Sequence, residues 1–402
     1  MKYTMLLDGS YPQDIRVRKE AESIAAAGIP IQILTRWKIG EKRYETVNGV
    51  AILRLGNNYS HARKGINDII TAIFFTDFPF KKELKKILKQ ESISILHVHD
   101  LPLIKTILRL KTKDLKVVLD LHENYPEMLE ELKFSSKGLF KTLKDKLFFN
   151  VERWKKYEKK YIHKSDHIIA VIDEMKEKLI REYAIASDKI TVISNYEKLD
   201  FANHSEPDDF IFKNEVFYIA YVGGISAVRG LETVIQAISI FKEQNKKVEF
   251  IIVGNGNSTY VNSLKQLAIM LDCAERIHFL GHKPFKKINY YIENVNVNVI
   301  PHIKNDHTDN TIPHKLFQIM TQKSPLLVSN CNPMKRILMN NNAGFIFESS
   351  NPNDFIAVIE NMMNNNAEVK KRVLNAYQLI SEHLNWEKEA QTLVKLINKL
   401  NG

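Results

Sequence analysis

The sequence predicts an α/β protein made of two doubly wound domains, each a parallel sheet wrapped by helices, facing each other across a cleft. Short β-rich runs alternate with amphipathic runs along most of the chain. A polar, turn-rich stretch at 196–214 interrupts that alternation. The chain has 402 residues, which is too many for one ordinary core.

The N-terminal half supplies the first sheet. Candidate helices at 16–27, closed by Gly28, and at 103–111 separate some of its strands. Ligands of such sheets bind beyond the carboxyl ends of the strands, which draws attention to residues 8–14, His99-Asp100 and 122–124. The candidate strands are 3–7, 29–35, 50–55, 93–99, 116–122, 167–172 and 189–194.

The C-terminal half repeats the pattern. Its first helix, at 230–245, carries an apolar stripe at helical spacing, and a last helix at 386–400 exceeds what the sheet needs. We predict a first domain at 1–198, a linker at 199–214, a second domain at 215–375 and C-terminal helices at 376–402. The candidate strands are 217–222, 248–253, 276–280, 295–300, 325–329 and 344–347.

Composition restricts the class of protein. With 44% hydrophobic and 26% charged residues, the chain has the composition of a globular protein. Its two cysteines, Cys273 and Cys331, are too far apart in sequence to indicate a disulfide framework or a zinc site. No secretory leader pattern follows Met1, and no apolar run reaches the ~18 residues of a membrane span. We therefore expect a cytoplasmic protein.

The formal charge of +11 is concentrated in a basic segment at 133–164, where aromatic residues are interleaved with lysine and arginine. Such a segment can lie on an anionic membrane surface, at the inner face of the membrane, or it can form solvated helix faces. It could also follow a nucleic-acid backbone. We expect no nucleic-acid partner, because no zinc finger, RNA-binding or helix-turn-helix signature accompanies it.

Residues 300–330 combine a strand end, a polar loop, and a short helix that Pro313 opens and that carries Lys315. Helix N-termini attract anions through unpaired N–H groups and the helix dipole. Lys315 would add a full positive charge. The segment therefore indicates either a diphosphate site or an ordinary strand-to-helix turn.

Glycines at two further strand ends favour a phosphate site. Gly223 and Gly224 follow one strand, and Arg229 opens the next helix. A second pair of glycines, Gly254 and Gly256, follows the next strand. Glycine lets backbone N–H groups approach a phosphate, and arginine can contact it bidentately. The spacing lacks the third glycine of a Rossmann fingerprint and the lysine of a P-loop.

Histidines cluster at strand ends of the first domain. His97 and His99 share a face, but no further ligand falls at metal spacing, which argues against a metal site. His122 and Glu123 should project toward the same sheet edge as Asp100. This arrangement predicts either a functional histidine or a hydrogen-bonded structural one.

Several segments, in this order, resemble glycosyltransferase family 4, the retaining nucleotide-sugar enzymes with two Rossmann-like domains (GT-B fold). The segments include DGSYPQDIRVRKEAESIAAAG, ILHVHDLPLI, VLDLHENYPEM, YVGGISAVRGLETVIQAI, IIVGNGNS and PHKLFQIMTQKSPLLVSN. The resemblance extends over nearly the whole chain. It implies that the last helix crosses back to pack on the first domain.

The resemblance also implies roles for individual residues. Arg229 and Lys315 match residues that hold the donor diphosphate, and His122 matches a histidine near the transferred sugar. No bound metal or other cofactor is implied, because cationic side chains stabilise the leaving diphosphate. Further donor-site positions are Gly9, Ser10, Gly223, Gly224, Gly254, Gly256, His282, Thr311 and Ile312.

Three departures from the family pattern concern the donor site. Gly224 stands where the family commonly has arginine, and Lys323-Ser324-Pro325 replaces a small-Gly-Pro turn. Asn310 and Gln318 stand where the family has a pair of glutamates. An amide can still bind sugar and ribose hydroxyls, but it lacks the charge that strengthens such a bond. We nevertheless place Asn310 and Gln318 with His122 in the catalytic set.

The resemblance implies a retaining glycosyltransferase that moves a sugar from a nucleotide diphosphate sugar to a glycan or lipid-linked acceptor in cell-surface polysaccharide biosynthesis. The missing glutamates keep open an alternative, a non-catalytic subunit of a glycan-assembly complex. A nucleotide-sugar 2-epimerase of similar fold is a third possibility.

Overall fold

The computed structural model describes residues 2–56, 69–71, 73–129, 150–203 and 205–401, which form two compact units. The first unit consists of Met1–Asn195 together with Glu389–Gly402, and the second of Tyr196–Lys388. The polar residues 196–214 thus belong to the second unit.

An eight-stranded sheet forms the centre of the first unit, in the order β3-β4-β2-β1-β5-β6-β7-β8. All neighbouring strands are parallel except β3 and β4. Strand β3 is not predicted by the sequence, because this edge strand is half exposed and has no apolar run. The strands are β1 Lys2–Leu6, β2 Ile31–Arg36, β3 Tyr44–Val47, β4 Val50–Leu55, β5 Ile93–His99, β6 Lys116–Leu121, β7 His167–Ala170 and β8 Ile190–Val192.

Two helices of the first unit begin at aspartate caps. The Asp14 carboxylate accepts a hydrogen bond from the N–H of Val17, and the Asp77 carboxylate accepts one from the N–H of Phe80. The Asp14 cap fixes where the loop after β1 turns into the first helix. The described helices are α1 Ile15–Ala26, α2 Phe78–Gln90, α3 Ile104–Leu108, α4 Val151–Ile162 and α5 Asp173–Tyr183.

The second unit contains a six-stranded sheet in the order β11-β10-β9-β12-β13-β14, with every neighbouring pair parallel. The strands are β9 Phe217–Val222, β10 Val248–Val253, β11 Ile277–Gly281, β12 Val297–Ile300, β13 Leu326–Ser329 and β14 Phe345–Phe347. The helices are α6 Leu231–Glu243, α7 Ser258–Met270, α8 Phe285–Asn294, α9 Lys315–Thr321, α10 Asn332–Asn341, α11 Pro352–Asn364, α12 Asn366–Glu382 and α13 Trp386–Asn401.

Both faces of the second sheet are buried. Along β9, Ile219 and Tyr221 pack in one hydrophobic cluster, whereas Tyr218 and Ala220 pack in another. This two-sided burial is characteristic of a parallel sheet covered by helices. The predicted stripe on α6 lies in the first of these clusters: Leu231, Val234, Ile235, Ile238 and Phe241. The predicted doubly wound fold is therefore confirmed.

The last helix, α13, begins in the second unit, and its residues from Glu389 onward belong to the first. The Glu389 carboxylate accepts a hydrogen bond from the N–H of Ser194 at 3.0 Å. The amine of Lys116 donates to the carbonyl oxygen of Leu400 at 2.6 Å. The predicted return of this helix to the first domain is confirmed.

Candidate functional site

The turn after β9 brings Gly223 against the amine of Lys315. A Cβ added to Gly223 would lie 2.7 Å from Lys315 Nζ, and the residue has a φ of +139°. A Cβ added to Gly254, whose φ is +150°, would lie 1.9 Å from the Gly223 carbonyl oxygen. Both φ angles strain any residue with a Cβ, and at Gly254 the backbone carbonyl also leaves no room for one. The predicted glycine turns are therefore adjacent.

The other two predicted glycines have different surroundings. A Cβ on Gly256 would lie 2.1 Å from the carbonyl oxygen of Ile225, so this glycine is needed for backbone packing. A Cβ on Gly224 would meet nothing within 4 Å. The Gly224 carbonyl oxygen accepts a hydrogen bond from the Tyr221 hydroxyl at 2.6 Å.

Lys315 carries a buried ammonium group with no hydrogen-bond acceptor among the described residues. Its Nζ lies 3.7 Å from the centroid of the Tyr221 ring. Burial holds the pKa of Lys315 well below its ordinary value, and the positive charge of Arg229 lowers it further. An anion entering this site would gain two cationic partners and would restore the charge of the amine.

His302 orients Arg229. Arg229 ends a 3₁₀ turn, Ala227–Arg229, and its Nη1 donates to His302 Nε2 at 3.1 Å. Burial and the charges of Arg229 and Lys315 hold the pKa of His302 well below its ordinary value. The imidazole is therefore neutral, and its Nε2 accepts a hydrogen bond from the guanidinium, which leaves the other N–H groups of Arg229 for a ligand.

Three N–H groups at the start of α9 are already bonded within the turn. Leu316 N–H donates to the carbonyl oxygen of Pro313, and the N–H groups of Phe317 and Gln318 donate to that of His314. These groups are therefore not free to bind an anion. The positive charges of Arg229 and Lys315 are the stronger basis for an anion site in this unit.

The loop before α9 satisfies much of its own polarity. Asn310 Nδ2 donates to the carbonyl oxygen of Asp306 at 2.7 Å, and Thr311 Oγ1 donates to that of His307 at 2.9 Å. Ile312 packs, half-buried, against a core cluster. The Asn310 amide nitrogen and the Thr311 hydroxyl are thus hydrogen-bonded within the loop.

Gln318 lies on α9, where its Nε2 donates to the Glu197 carboxylate at 2.9 Å. His282 is exposed directly after β11. Neither residue is brought into contact with Lys315 or Arg229 by a hydrogen bond of the described residues. Gln318 does lie one helical turn after Lys315, on the same side of the helix.

In the first unit, polar side chains surround the buried carboxylate of Asp120. Arg16 Nη2 lies 3.0 Å from Asp120 Oδ1 and 3.2 Å from Oδ2. The Nε2 atoms of His97 and His122 each lie 3.3 Å from Asp120 Oδ2. His99 Nδ1 lies 2.9 Å from His122 Nε2. The network connects the interior of the sheet to His122, whose side chain is 12% exposed.

Two carboxylates keep His122 protonated. Burial opposes its charge, but Asp100 and Asp120 outweigh burial and raise the pKa of His122 to about 9. Asp100 bonds the same residue through its backbone, since the N–H of His122 donates to Asp100 Oδ1 at 3.2 Å. His122 is therefore an imidazolium at neutral pH, with Nε2 directed at Asp120 and His99 and Nδ1 3.5 Å from Asp100 Oδ2.

Charge within the network is balanced by proton uptake. Burial raises the pKa of Glu20 to about 8 despite the neighbouring Arg16. Burial also favours neutral Asp120, but Arg16 and His122 outweigh it and hold the pKa of Asp120 well below its ordinary value. Asp120 is thus the anion of the network, and Glu20 carries a proton at neutral pH.

Ligand atoms of Glu20, His97, His99 and Asp120 lie within 4.8 Å of one another, which is metal-site spacing. The sequence pattern indicates only the two histidines, because both carboxylates come from other elements of the fold. The guanidinium of Arg16 already contacts both carboxylates. It supplies the positive charge that a metal ion would otherwise bring.

Gly9 and Ser10 lie in the loop between β1 and α1. The Gly9 carbonyl oxygen accepts a hydrogen bond from Thr35 Oγ1 at 2.6 Å, and that of Ser10 accepts one from the N–H of Asp14 at 3.2 Å. The loop is therefore fixed to β2 and to the start of α1.

Several residues of both networks were missed by the sequence analysis. Asp120 interrupts the apolar strand VVLDL, and a carboxylate in such a strand signals a buried partner. Arg16 and Glu20, at i,i+4 spacing, could have been recognised as a pair. Tyr221, His302 and Glu197 carry no local signal.

The basic segment 133–164 is described only from residue 150 onward, and α4 begins at Val151. Residues 133–149 lie outside the described residues. Among the described residues, no helix is long and apolar enough to cross a membrane. Membrane contact through this segment stays a prediction.

Comparison with known proteins assigns both units to one class. The family model "Glycosyl transferases group 1" matches residues 204–379, and "Glycosyltransferase Family 4" matches residues 14–196. The capsular polysaccharide biosynthesis glycosyltransferase CapM of Staphylococcus aureus is 23% identical over 236 residues, covering 55% of this chain and 59% of the relative. The chain spans about half the length of the curated relatives it matches.

Solved structures match along the whole chain. Sucrose-phosphate synthase from Thermosynechococcus elongatus has a TM-score of 0.76 at 16% identity, covering 100% of this chain and 99% of its own. Anabaena HepE in complex with UDP and glucose has a TM-score of 0.71 at 11% identity. The match covers 99% of this chain and 100% of the HepE chain. At such identities these matches establish the fold.

Fold and family models together define a glycosyltransferase-type protein of the GT-B class. The chain belongs to glycosyltransferase family 4. The family predicted from the sequence is therefore confirmed.

Proposed function

We propose that this protein transfers a sugar from a nucleotide diphosphate sugar to a glycan or lipid-linked acceptor, with retention of configuration, in polysaccharide biosynthesis. One observation carries the proposal. In the second unit, the buried ammonium of Lys315 has no acceptor among the described residues, and Arg229 adds a second cation. Two such cations are complementary to a diphosphate.

The cations also suit the chemistry of transfer. The diphosphate gains negative charge as its bond to the sugar breaks, and preorganised cations stabilise that charge in the transition state. In this proposal Lys315 and Arg229 take that role without a metal ion. Configuration is retained if the acceptor hydroxyl attacks the sugar from the face that the diphosphate leaves, and the leaving phosphate takes the proton of that hydroxyl.

The remaining roles rest on the family. His122 acts on the transferred sugar, where its imidazolium can donate a hydrogen bond to a sugar oxygen. The side-chain amide of Asn310 hydrogen-bonds the transferred sugar, and that of Gln318 hydrogen-bonds the ribose. The complex of Anabaena HepE with UDP and glucose supports a nucleotide-sugar donor. The role of CapM in capsular polysaccharide biosynthesis supports the setting.

Calorimetric titration with nucleoside diphosphates, followed by donor hydrolysis and transfer assays over a panel of nucleotide sugars, tests the proposal. Lys315→Met and Arg229→Ala should each weaken diphosphate binding about 10- to 100-fold, since each removes a charge-assisted contact. Lys323→Met is a matched control, because this exposed lysine also lies over a tyrosine ring, that of Tyr377, at 4.1 Å.

The outcomes separate the candidate functions. Full activity of Arg229→Ala would refute the diphosphate site. Nucleotide binding without turnover of any donor would favour the non-catalytic subunit, which the amides at 310 and 318 suggest. Interconversion of nucleotide sugars without an acceptor would favour an epimerase.

A further inference from the structure

Glu197 directs a carboxylate at two residues of the α9 region. Its Oε2 lies 2.9 Å from Gln318 Nε2 and 3.3 Å from His314 Nε2. Its Oε1 accepts a hydrogen bond from the N–H of Lys198, and its backbone carbonyl accepts one from the N–H of Trp386 at 3.0 Å. Glu197 is 6% exposed. The carboxylate is thus held in place from several sides.

This contact fixes which way the Gln318 amide faces. A carboxylate only accepts hydrogen bonds, so the amide must turn its NH₂ group toward Glu197. Its carbonyl oxygen then faces away. That oxygen has no donor among the described residues and is not among the buried polar atoms without a partner. Gln318 therefore presents a single accessible acceptor.

The acceptor lies beside the anion site. Gln318 follows Lys315 by three positions on α9, so the two side chains occupy neighbouring places on one helix face. A ligand whose diphosphate is bound by Lys315 brings its attached groups to this face.

We propose that Glu197 is a positioning residue that orients the Gln318 amide, so that its carbonyl oxygen accepts a hydrogen bond from a ribose hydroxyl of the donor nucleotide. The inference rests on the proposed function. The amide at 318 then performs the acceptor role of a glutamate, and the negative charge resides on Glu197 instead.

The pair also explains why glutamine occupies position 318. A glutamate there would place a second carboxylate against Glu197 at about hydrogen-bond distance, and two such carboxylates repel each other. Exchanging both residues, by Glu197→Gln with Gln318→Glu, would restore one donor amide and one carboxylate at unchanged net charge.

Calorimetry with UDP and 2′,3′-dideoxy-UDP tests the inference. The wild type should bind UDP about tenfold more tightly than the dideoxy analogue, and Gln318→Ala should abolish that preference. Gln318→Glu should weaken UDP binding about tenfold or more. The double exchange should recover affinity to within about threefold.

A second amide–carboxylate pair provides the control. On α12, Gln378 Nε2 donates to Glu382 Oε1 at 3.0 Å on an exposed surface. Gln378→Glu, alone or with Glu382→Gln, should leave UDP binding unchanged. Thermal unfolding of each variant checks its fold. If Gln318→Glu does not fold, the ratio of affinities for UDP and dideoxy-UDP can still be measured on the double exchange and on Gln318→Ala.

Equal binding of UDP and its dideoxy analogue by the wild type would overturn the inference. So would a folded Gln318→Glu variant with wild-type affinity for UDP, or a double exchange no better than that single variant. Titration with pyrophosphate separates the two hypotheses. If the wild type does not bind pyrophosphate, the diphosphate site is contradicted. If it binds pyrophosphate but does not prefer UDP to dideoxy-UDP, only the role of Glu197 and Gln318 is contradicted.

Discussion

The ammonium of Lys315 lies 3.7 Å from the centroid of the Tyr221 ring, and the hydroxyl of that tyrosine donates to the Gly224 carbonyl oxygen. The glycine turn therefore fixes the ring against which the amine rests. A cation–π contact contributes ~2 kcal/mol when desolvated, which is less than the several kcal/mol that burial of an ion costs. The amine is thus placed for an anion at a net cost to stability.

Replacement of Lys315 by methionine should separate stability from binding. We expect Lys315→Met to raise the free energy of unfolding of the unliganded protein by ~1–3 kcal/mol, because a buried amine without a hydrogen-bond partner is replaced by an apolar chain of similar length. Urea unfolding measures this. Lys323→Met should stay within ~0.5 kcal/mol of the wild type. A destabilised Lys315→Met would show that the ammonium is already paired.

Lys315 also predicts opposite pH dependences for stability and for binding. Its pKa is held well below its ordinary value by burial and by Arg229. Between that lowered pKa and the ordinary value of about 10.4, the unfolded chain binds a proton that the folded protein lacks, so this contribution to stability rises with pH. A diphosphate binds the protonated amine, so its affinity should fall over the same window.

Urea unfolding and calorimetry across about pH 6 to 9 measure the two dependences. Both contributions should disappear in Lys315→Met. Above about pH 7.5 the terminal phosphate, whose pKa is about 6, is already ionised. If the affinity of the wild type for diphosphate rose with pH there, Lys315 could not be the group that binds it.

Alanine at the strand-end glycines should distinguish close approach from ordinary turns. Gly254→Ala should destabilise by ~3 kcal/mol or more, since its Cβ would overlap the Gly223 carbonyl oxygen at a φ of +150°. Gly224→Ala has open space and should cost less than ~1 kcal/mol. Thermal unfolding compares the two. Similar losses in both variants would contradict the packing of Gly254 against Gly223.

The charge of His122 should depend on Asp100. The pKa of His122, about 9, should fall in Asp100→Asn, as measured by NMR titration. His167, whose pKa burial lowers to about 4, should not respond. If the pKa of His122 did not change in this variant, Asp120 rather than Asp100 would be the carboxylate that determines its charge.

The same network should make the protein less stable as pH rises. The pKa of His122 is raised in the folded state. Its contribution to the free energy of unfolding is therefore complete below about pH 6.5 and is lost as the pH approaches about 9. The expected loss is on the order of 3 kcal/mol. Glu20, with a pKa of about 8, contributes in the same direction from about 4.5 upward. Urea unfolding of wild type and Asp100→Asn over this range should show a smaller loss in the variant.

Local patterns alone predicted many of the strands and helices, and the glycines and cations of the candidate site. The stripe on α6 and the apolar run of β9 are readable because helix and strand periods are properties of neighbouring residues. Gly223, Gly254, Arg229 and Lys315 were predicted because strand-end glycines and basic helix starts are local signals as well. The half-exposed edge strand β3 has no such period and was missed.

The partners of these residues were decided only by the tertiary structure. Asp120 and Arg16 are 104 positions apart, and Gln318 and Glu197 are 121 apart. Strand order and the return of the chain bring such pairs together, and no local pattern encodes either. The amide at position 318 looked like a missing carboxylate in the sequence. In the folded chain this amide donates to a carboxylate, that of Glu197, 2.9 Å away.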